Sequence, residues 1–378
     1  MHILVLENEP SSCRGGQELS MLDVCQGLAK RGHKISMLYV KEGNLLKHYR
    51  EFCHKIIKVN GYRIERKERI KSLGNFLSDI TKIPASDYSC VYSNQYHDNF
   101  WGAALALSRN IPLICHLRLP PPDIKLGWQW SIGLKGVKQF ITISNQTKQD
   151  WANRGLKSEK IEVVYNGLNP EMFEPSESFS LARQEWGIAE NIKVISYVGR
   201  LDREKGVETL IKAFAIIYQD NNSSRLIIAG KPLSAKAEYK KSLEKLSEDL
   251  GVEKYVDFLG HVNNPGSLYQ MSDITVLPSI NSEPFGRVII ESMACGTPVV
   301  ASRTGGIPEI LTGEFQKGLF QPGNERDLSE KIKLLINWRD DSIITLGDRC
   351  REYVIDRFGL EKTIEGVEKA ILKAISNK

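Results

Sequence analysis

Apolar residues follow two different periods along the first forty positions of the chain. A short apolar run at 2–6 is followed by a polar loop with two glycines, and a 3.6-residue period then extends over 19–31. A second apolar run covers 35–40, directly after Gly32, a residue type that commonly ends helices. The pattern predicts a strand–helix–strand unit, whose two strands pair in parallel, and therefore an α/β fold.

The same alternation continues and then starts again. After the first unit it predicts strands at 90–93, 112–115, 140–143 and 161–165, and a Pro- and Ser-containing linker at 166–190. A second series begins with "KVISYVG" at 193 and predicts strands at 225–229, 256–259, 274–278 and 298–301. The helices expected in this half lie at 207–218, 235–250, 286–295 and 328–337, and a last amphipathic helix at 360–375. We expect two doubly wound Rossmann-like domains, 1–172 and 173–357, facing across a cleft, with 358–378 packing back on the first.

The composition of the chain limits the possible classes of function without identifying one. A chain of 378 residues suits two domains, and its formal net charge of +5 favours anionic partners without indicating nucleic acid. Seven scattered cysteines without a CxxC pair argue against a disulfide framework or a zinc site. No apolar run is long enough to cross a membrane and the start lacks a basic leader, so we expect a cytoplasmic protein whose only membrane contact would be peripheral.

Two glutamates in "EPFGRVIIESMACGTPVVAS" allow two interpretations. Glu283 precedes a predicted short helix, and Glu291 lies within it, four residues after Arg287. The structural interpretation is a charge near the helix N-terminus plus an Arg–Glu pair at i,i+4. The chemical interpretation is that both carboxylates accept hydrogen bonds from the hydroxyls of a ligand, beside the backbone N–H groups of Phe285 and Gly286.

A second segment adds cations at a strand end. In "GRLDREKGVETLI", Gly199, Arg200 and Lys205 lie between a predicted strand and a predicted helix. Such a turn offers a bidentate guanidinium, a point charge and free N–H groups to a diphosphate. The alternative is solvated surface charge, which the position directly after a strand makes less favourable.

Gly15 and Gly16 occupy the corresponding loop of the first domain, where glycines let the backbone approach a phosphate closely. They do not form a G-x-G-x-x-G fingerprint, and no acidic residue follows at the second strand to bind a ribose. NAD is therefore disfavoured.

Together these motifs resemble the retaining GT-B-fold glycosyltransferases of family four, relatives of glycogen and sucrose-phosphate synthases. Glu283 and Glu291 match the E-x7-E motif of that family, and "YVGRLDREKG" resembles its diphosphate-binding segment. "VVYNGLNPEMF" and "TISNQTKQDW" resemble two further family segments in the first domain. The resemblance implies an acceptor-side first domain and a second domain that binds a nucleotide-sugar, most commonly UDP-linked.

The resemblance also implies roles for individual residues. Glu291 would bind the ribose, and Glu283 the transferred sugar, beside the Phe285–Gly286 backbone. Arg200 and Lys205 would neutralise the diphosphate, with Gly199 beside them and Gly15 and Gly16 approaching from the first domain. The segment from Leu259 to Val262 would meet the base.

His116, in "PLICHLR", corresponds to a family histidine near the donor sugar, although "HLR" replaces the usual "HD". His97 is a weaker candidate on the acceptor side. The implied reaction retains the anomeric configuration and needs no cofactor. Because the sequence contains no DxD, it is also expected to need no metal.

The acceptor, a hydroxyl of a sugar, lipid or small molecule, is not identified by the sequence. The basic stretch 47–71 is most simply a solvated face, and its alternative is contact with an anionic membrane or lipid phosphate. Trp128 and Trp130 lie in a Pro-rich segment expected to be a loop, where they could stack on a sugar, touch lipid or pack beneath the loop. Two other functions stay open: a nucleotide-sugar epimerase and a catalytically silent nucleotide-sugar-binding protein.

Overall fold

The computed structural model describes residues 1–12, 15–65, 67–84, 87–176, 179–232, 238–341 and 343–376. It consists of two compact units. The N-terminal unit comprises Met1–Gly167 and Leu360–Lys378, and the C-terminal unit comprises Leu168–Gly359. The chain thus passes from one unit to the other at Gly167, where the sequence placed the division after 172, and it returns to the first unit at Leu360.

The described part of the N-terminal unit contains a seven-stranded parallel sheet with the order β3-β2-β1-β4-β5-β6-β7. Its strands are β1 His2–Glu7, β2 Lys34–Tyr39, β3 Lys55–Lys58, β4 Cys90–Ser93, β5 Leu113–Leu117, β6 Val137–Thr142 and β7 Ile161–Val163. Its helices are α1 Gly16–Lys30, α2 Leu46–Phe52, α3 Arg69–Lys82, α4 Asn99–Arg109, α5 Trp128–Lys135 and α6 Asn145–Asn153.

The C-terminal unit repeats this plan in its described residues, with six parallel strands ordered β10-β9-β8-β11-β12-β13. The strands are β8 Lys193–Val198, β9 Ser224–Ala229, β10 Val256–Gly260, β11 Ile274–Leu277, β12 Val299–Ser302 and β13 Leu319–Phe320. The helices are α7 Phe179–Glu185, α8 Val207–Asp220, α9 Glu238–Asp249, α10 Gly266–Met271, α11 Arg287–Ala294, α12 Ile307–Ile310, α13 Glu325–Asp341 and α14 Ile343–Phe358. The predicted pair of doubly wound Rossmann-like sheets is confirmed.

The last helix, α15 Leu360–Ser376, is built into the N-terminal unit. Ile364, Val367 and Ile371 belong to the same buried cluster as the strands β1 and β2 and the helix α1. At the rim of this contact, Arg31 pairs with Glu361 and Glu368. The amphipathic period of the final segment therefore marks a helix that covers one face of the first sheet.

Three segments differ from the sequence prediction. The basic stretch 47–71 contains α2, β3 and the start of α3, and the Pro-rich segment expected to be a loop contains α5. Elements of four to eight residues are too short for a period to stand out, so composition dominated the prediction. The helix α14 was also missed. It contains Gly347, which lies against Gly296, a close helix approach that a periodicity argument cannot foresee.

In each sheet the strand order reverses at one place, between β1 and β4 and between β8 and β11. The loops that follow these strands diverge to opposite faces there, leaving a crevice at the carboxyl ends, the usual ligand position in doubly wound folds. Among the described residues, no helix is sufficiently long and apolar to span a bilayer.

Candidate active site

The loops after β8 and β11 meet at the reversal point of the C-terminal sheet. The Ile280 N–H donates to the Glu204 carbonyl over 2.8 Å, joining the two loops through their backbones. Gly206 is in the left-handed region with φ 67°, and a Cβ there would lie 2.1 Å from the Pro278 carbonyl oxygen. A glycine is therefore required by both conformation and space. The contact fixes the position of the preceding residue, Lys205.

Lys205 and Glu283, predicted separately for the phosphates and the sugar, form an ion pair. The Lys205 Nζ lies 2.5 Å from Glu283 Oε2, and the Ser279 hydroxyl donates to the same oxygen over 3.1 Å. Their side chains are 19% and 14% exposed, so the pair is partly shielded yet reachable from solvent. The pair brings a cation and an acid from two loops to one point of the crevice.

The backbone of Glu283 is held by a glycine pair, Gly305 and Gly306, that was not among the residues predicted for the site. The Gly306 N–H donates to the Glu283 carbonyl over 2.8 Å, and a Cβ at Gly305 would lie 2.1 Å from that oxygen. The segment "TGGIPEI" after β12 therefore packs directly beneath the carboxylate-bearing loop. The signal available in the sequence was the Gly-Gly pair after a strand.

Arg200 follows β8 with its side chain 39% exposed and its guanidinium 3.6 Å from Asp202. Gly199 lies against the neighbouring loop, because its N–H donates to Ala229 and a Cβ on Gly230 would sit 1.8 Å from the Gly199 carbonyl. The buried Tyr197 hydroxyl donates to the Arg200 carbonyl over 2.7 Å. Burial and the nearby carboxylates of Asp202 and Glu283 raise the pKa of Tyr197, so it remains a neutral donor.

Glu291 lies on α11, 9% exposed, with one donor on each carboxylate oxygen. Arg287 Nε donates to Oε1 and the Tyr269 hydroxyl to Oε2, both over 3.2 Å. The i,i+4 pair of the structural interpretation is therefore present, supplemented by a tyrosine. Burial and the Glu291 charge raise the pKa of Tyr269, which keeps this hydroxyl protonated.

The other predicted residues of this unit lie on either side of the central pair. Phe285 is 1% exposed and meets the Phe358 ring edge-on at 5.7 Å, and Gly286 directly precedes α11 with φ 100°. Leu259 lies at the end of β10, two strands from β8 or about 10 Å at ordinary strand spacing, and is 40% exposed. Val262 follows in the next loop and packs on a small apolar cluster.

Gly15, Gly16 and His116 belong to the N-terminal unit, and a buried polar network surrounds the strand ends there. Asn94, after β4, donates to Glu7 Oε2 over 2.8 Å and accepts from Arg118 Nε over 2.5 Å. Arg118 also donates to Asn166 over 2.9 Å. Gly15 precedes α1 with φ 138° and no neighbour within 4 Å of its Cβ position, which leaves room beside the backbone.

The network contains one strongly perturbed acid, Glu7, at the end of β1. Burial, together with Glu18 and Asp98, raises its pKa to about 8. Glu7 is therefore protonated at neutral pH. Glu7 was not among the residues predicted for the site, although its position directly after an apolar run is visible in the sequence.

His116 is completely buried within β5, and its Nδ1 lies 2.7 Å from the Tyr92 hydroxyl. Within the described residues its Nε2 has no hydrogen-bond partner. Burial and the Arg118 charge hold the pKa of His116 well below its usual range, so the ring is neutral. His97 instead lies among aromatic rings, with Tyr96 at 3.8 Å and Trp130 at 5.0 Å between centroids.

Comparison with known proteins assigns a family to each half of the chain. Residues 178–354 match the family described as glycosyl transferases group 1, and residues 14–172 match glycosyltransferase family 4. An uncharacterized glycosyltransferase of Methanocaldococcus jannaschii is 28% identical over 354 residues, 87% of each chain. A D-inositol 3-phosphate glycosyltransferase of Corynebacterium glutamicum is 38% identical over 203 residues. That match covers 52% of this chain and 47% of the relative, so the chain spans about half its length.

Among solved structures, HepE of Anabaena in complex with UDP-glucose has the same fold. The TM-score is 0.83 at 24% identity, with 99% of this chain and 100% of the other covered. The two family matches follow one another along the chain and span most of it. The chain therefore belongs to the group 1 and family 4 glycosyltransferases with the GT-B fold.

Proposed function

We propose that this protein transfers a sugar from a nucleotide-diphosphate sugar, UDP-linked, to an acceptor hydroxyl with retention of anomeric configuration. The observation that carries the proposal is the Lys205–Glu283 pair at the reversal point of the C-terminal sheet. One group has the charge that a diphosphate needs, and the other has the acceptor oxygens that sugar hydroxyls need.

The leaving diphosphate would be bound by Arg200 and Lys205. Both follow β8 at the carboxyl edge, and the Arg200 guanidinium retains exposed surface because Asp202 approaches only to 3.6 Å. Negative charge builds up on the diphosphate as the glycosidic bond breaks, so two cations held in advance lower the barrier. The base would lie toward Leu259 and Val262, and Glu291 with its fixed oxygens would accept from the ribose.

Glu283 would orient the sugar. Ser279 and Gly306 fix its side chain and backbone, which limits the geometries in which a hydroxyl can donate to it. The acceptor oxygen attacks the anomeric carbon on the face from which the diphosphate departs. Its proton passes to the departing phosphate oxygen, so the protein supplies no nucleophile.

The family resemblance also supports a proposed part in donor binding for His116, Gly15 and Gly16. Because His116 is neutral, its part would be a hydrogen bond from Nε2 and not a positive charge. The lack of a DxD in the sequence supports a metal-independent reaction. The UDP-glucose bound by HepE supports the choice of donor.

Calorimetry tests the donor site directly. The purified chain is titrated with UDP, GDP, ADP, NAD and the common sugar conjugates of the nucleotides, with and without EDTA. We expect selective binding of one UDP-sugar that EDTA does not change and that Lys205→Ala weakens. Binding of none of these ligands, or loss of binding in EDTA, would contradict the proposal.

Product analysis then distinguishes the alternatives. With the bound donor and a panel of hydroxyl acceptors, a transferase yields a new glycoside, whose anomeric coupling by NMR reports retention or inversion. An isomerised donor would instead indicate an epimerase, and an unchanged donor a silent binding protein.

A further inference from the structure

The helix α3 carries an exposed apolar stripe on the N-terminal unit. Ile70, Leu73 and Leu77 are 91%, 44% and 55% exposed, and their spacing of three and four residues places them on one helix face. Phe76, three residues after Leu73, borders this stripe and is buried in the core. Phe76, Ile80 and the buried Asp79, which accepts from Asn60, attach α3 to the unit, and the stripe is left facing solvent.

The helix α5 extends this apolar surface. Trp128 and Ile132, four residues apart, are 53% and 50% exposed. The Phe100 ring connects the two helices, with centroids 5.4 Å from Phe76 and 5.2 Å from Trp128. We refer to Ile70, Leu73, Leu77, Trp128 and Ile132 as the apolar face. Contiguous exposed apolar surface of this kind marks a contact site and is not common on a monomer.

Basic side chains border the apolar face. Residues 63–71 include five basic and two acidic side chains. Arg63, Lys67, Glu65 and Glu68 line a cavity of about 600 Å³ together with Trp128 and Trp130. The Arg63 guanidinium lies over the Trp130 ring, 5.3 Å from its centroid. The Glu68 Oε2 forms an ion pair with Lys71 Nζ at 3.4 Å. The cavity thus presents two cations and two carboxylates beside two aromatic rings, and Lys71 offsets the charge of one of the carboxylates.

We propose that the apolar face docks the N-terminal unit on an anionic bilayer, with a lipid phosphate held by Arg63 and Lys67 in the cavity. Amphipathic helices with a basic border insert their apolar side chains at the acyl boundary, while their cations remain at the headgroups. Tryptophan is a favoured residue at that depth. A second copy of the chain suits this face less well, because an isologous contact would bring the two basic borders together.

Vesicle flotation tests this docking, using phosphatidylcholine vesicles with and without phosphatidylglycerol. We expect binding to the anionic vesicles that weakens as salt is raised. The combined Ile70→Ser, Leu73→Ser and Leu77→Ser variant should lose about tenfold or more in vesicle affinity, since three apolar side chains no longer insert. Lys67→Gln with Arg63→Gln should reduce binding only to the anionic vesicles.

Leu107→Ser is the matched control, because Leu107 is 85% exposed on α4 and lies outside the apolar face. It should bind vesicles as the parent does. Absence of vesicle binding, or equal binding by the triple serine variant, would overturn the proposal. So would a dimer in light scattering that the triple variant dissociates, because the apolar face would then be a self-association surface.

This inference does not rest on the proposed function. Nucleotide titration of the same variants separates the two, since their substitutions lie in the N-terminal unit and the Lys205–Glu283 pair lies in the C-terminal unit. Vesicle binding without nucleotide binding would leave the docking surface standing and remove the transferase proposal. Nucleotide binding without vesicle binding would contradict the docking surface and leave the transferase proposal in place.

Discussion

Lys205 and Glu283 share one ion pair, and this affects how their individual contributions can be measured. The 2.5 Å contact means that removing either side chain leaves the other without its partner in a partly buried place. The effect of a single substitution therefore combines the loss of the residue's own function with the loss of the ion pair by its partner. Only a comparison of single and double variants separates the two effects.

We predict that Lys205→Ala and Glu283→Ala each lower turnover on the order of 10²-fold or more, because both groups act on the reacting donor. The double variant should lose far less than the product of the two single losses, since the pair acts as a unit. Steady-state kinetics on all three variants measures the coupling. Lys212→Ala, which removes an exposed lysine of α8, is the control and should be unaffected. Multiplicative losses would contradict a shared role.

Glu7 allows a prediction about pH. Its pKa is raised from an ordinary 4.5 to about 8 in the folded chain, so folding favours the protonated form. The stability that depends on this protonation is complete below about pH 4.5 and is lost as pH rises through 8. Glu7→Gln keeps a neutral group of similar shape and should make the melting temperature less sensitive to alkali.

Thermal unfolding at pH 5 and pH 9 checks this expectation. The melting temperature of Glu7→Gln relative to the parent should rise between the two pH values. Glu159→Gln removes a carboxylate that is 72% exposed. Its melting temperature relative to the parent should therefore be the same at pH 5 and at pH 9. The same difference for both variants would show that Glu7 is ionised in the folded protein.

Among the connecting elements, the turn before α8 determines where the Lys205 side chain lies. Gly206 and Gly251 have nearly equal backbone angles, φ 67° and φ 70°, yet only Gly206 faces a close backbone atom, the Pro278 carbonyl. The two positions therefore separate conformational strain from lack of space. This makes Gly251 the matched control for Gly206.

We predict that Gly251→Ala costs about 1 kcal/mol, the usual penalty for a side chain in the left-handed region. Gly206→Ala should cost more and should weaken nucleotide binding as well, because the β8 and β11 loops must move apart. Urea unfolding and calorimetry on both variants provide the two measurements. Unchanged nucleotide affinity in Gly206→Ala would show that the loop contact does not position the site.

At the scale of the whole molecule, the chain leaves the N-terminal unit and returns to it at the end. The helix α15 supplies part of the core of the first unit, although it is separated from the rest of that unit by the entire C-terminal unit. Loss of α15 packing should therefore destabilise the N-terminal unit specifically.

Two neighbouring residues of α15 test this dependence. Ile371 is fully buried in the N-terminal core, and Leu372 is 47% exposed. We predict that Ile371→Ala lowers the free energy of unfolding of the N-terminal unit by about 2–5 kcal/mol, because it leaves a cavity. Leu372→Ala should change it by about 0.5 kcal/mol or less. Urea unfolding followed by circular dichroism measures both, and equal effects would mean that α15 is not packed in that core.

Much of this architecture could be predicted from the amino-acid sequence. Parallel strands and crossover helices are local consequences of apolar periods, so the two doubly wound sheets and the strand ends carrying Arg200, Lys205 and Glu283 could be located in advance. The short elements within 47–71 and within the Pro-rich segment 118–136 could not be located in advance, because a few residues do not define a period.

Side-chain partnership, in contrast, depends on how distant segments pack. The sequence indicated that Lys205 and Glu283 act on neighbouring parts of one ligand, but their direct contact arises from the reversal of strand order between β8 and β11. The burial of His116, the protonation of Glu7 and the exposure of the apolar face have the same origin. Each depends on which atoms surround a residue in three dimensions, and residues far apart in sequence supply most of those atoms.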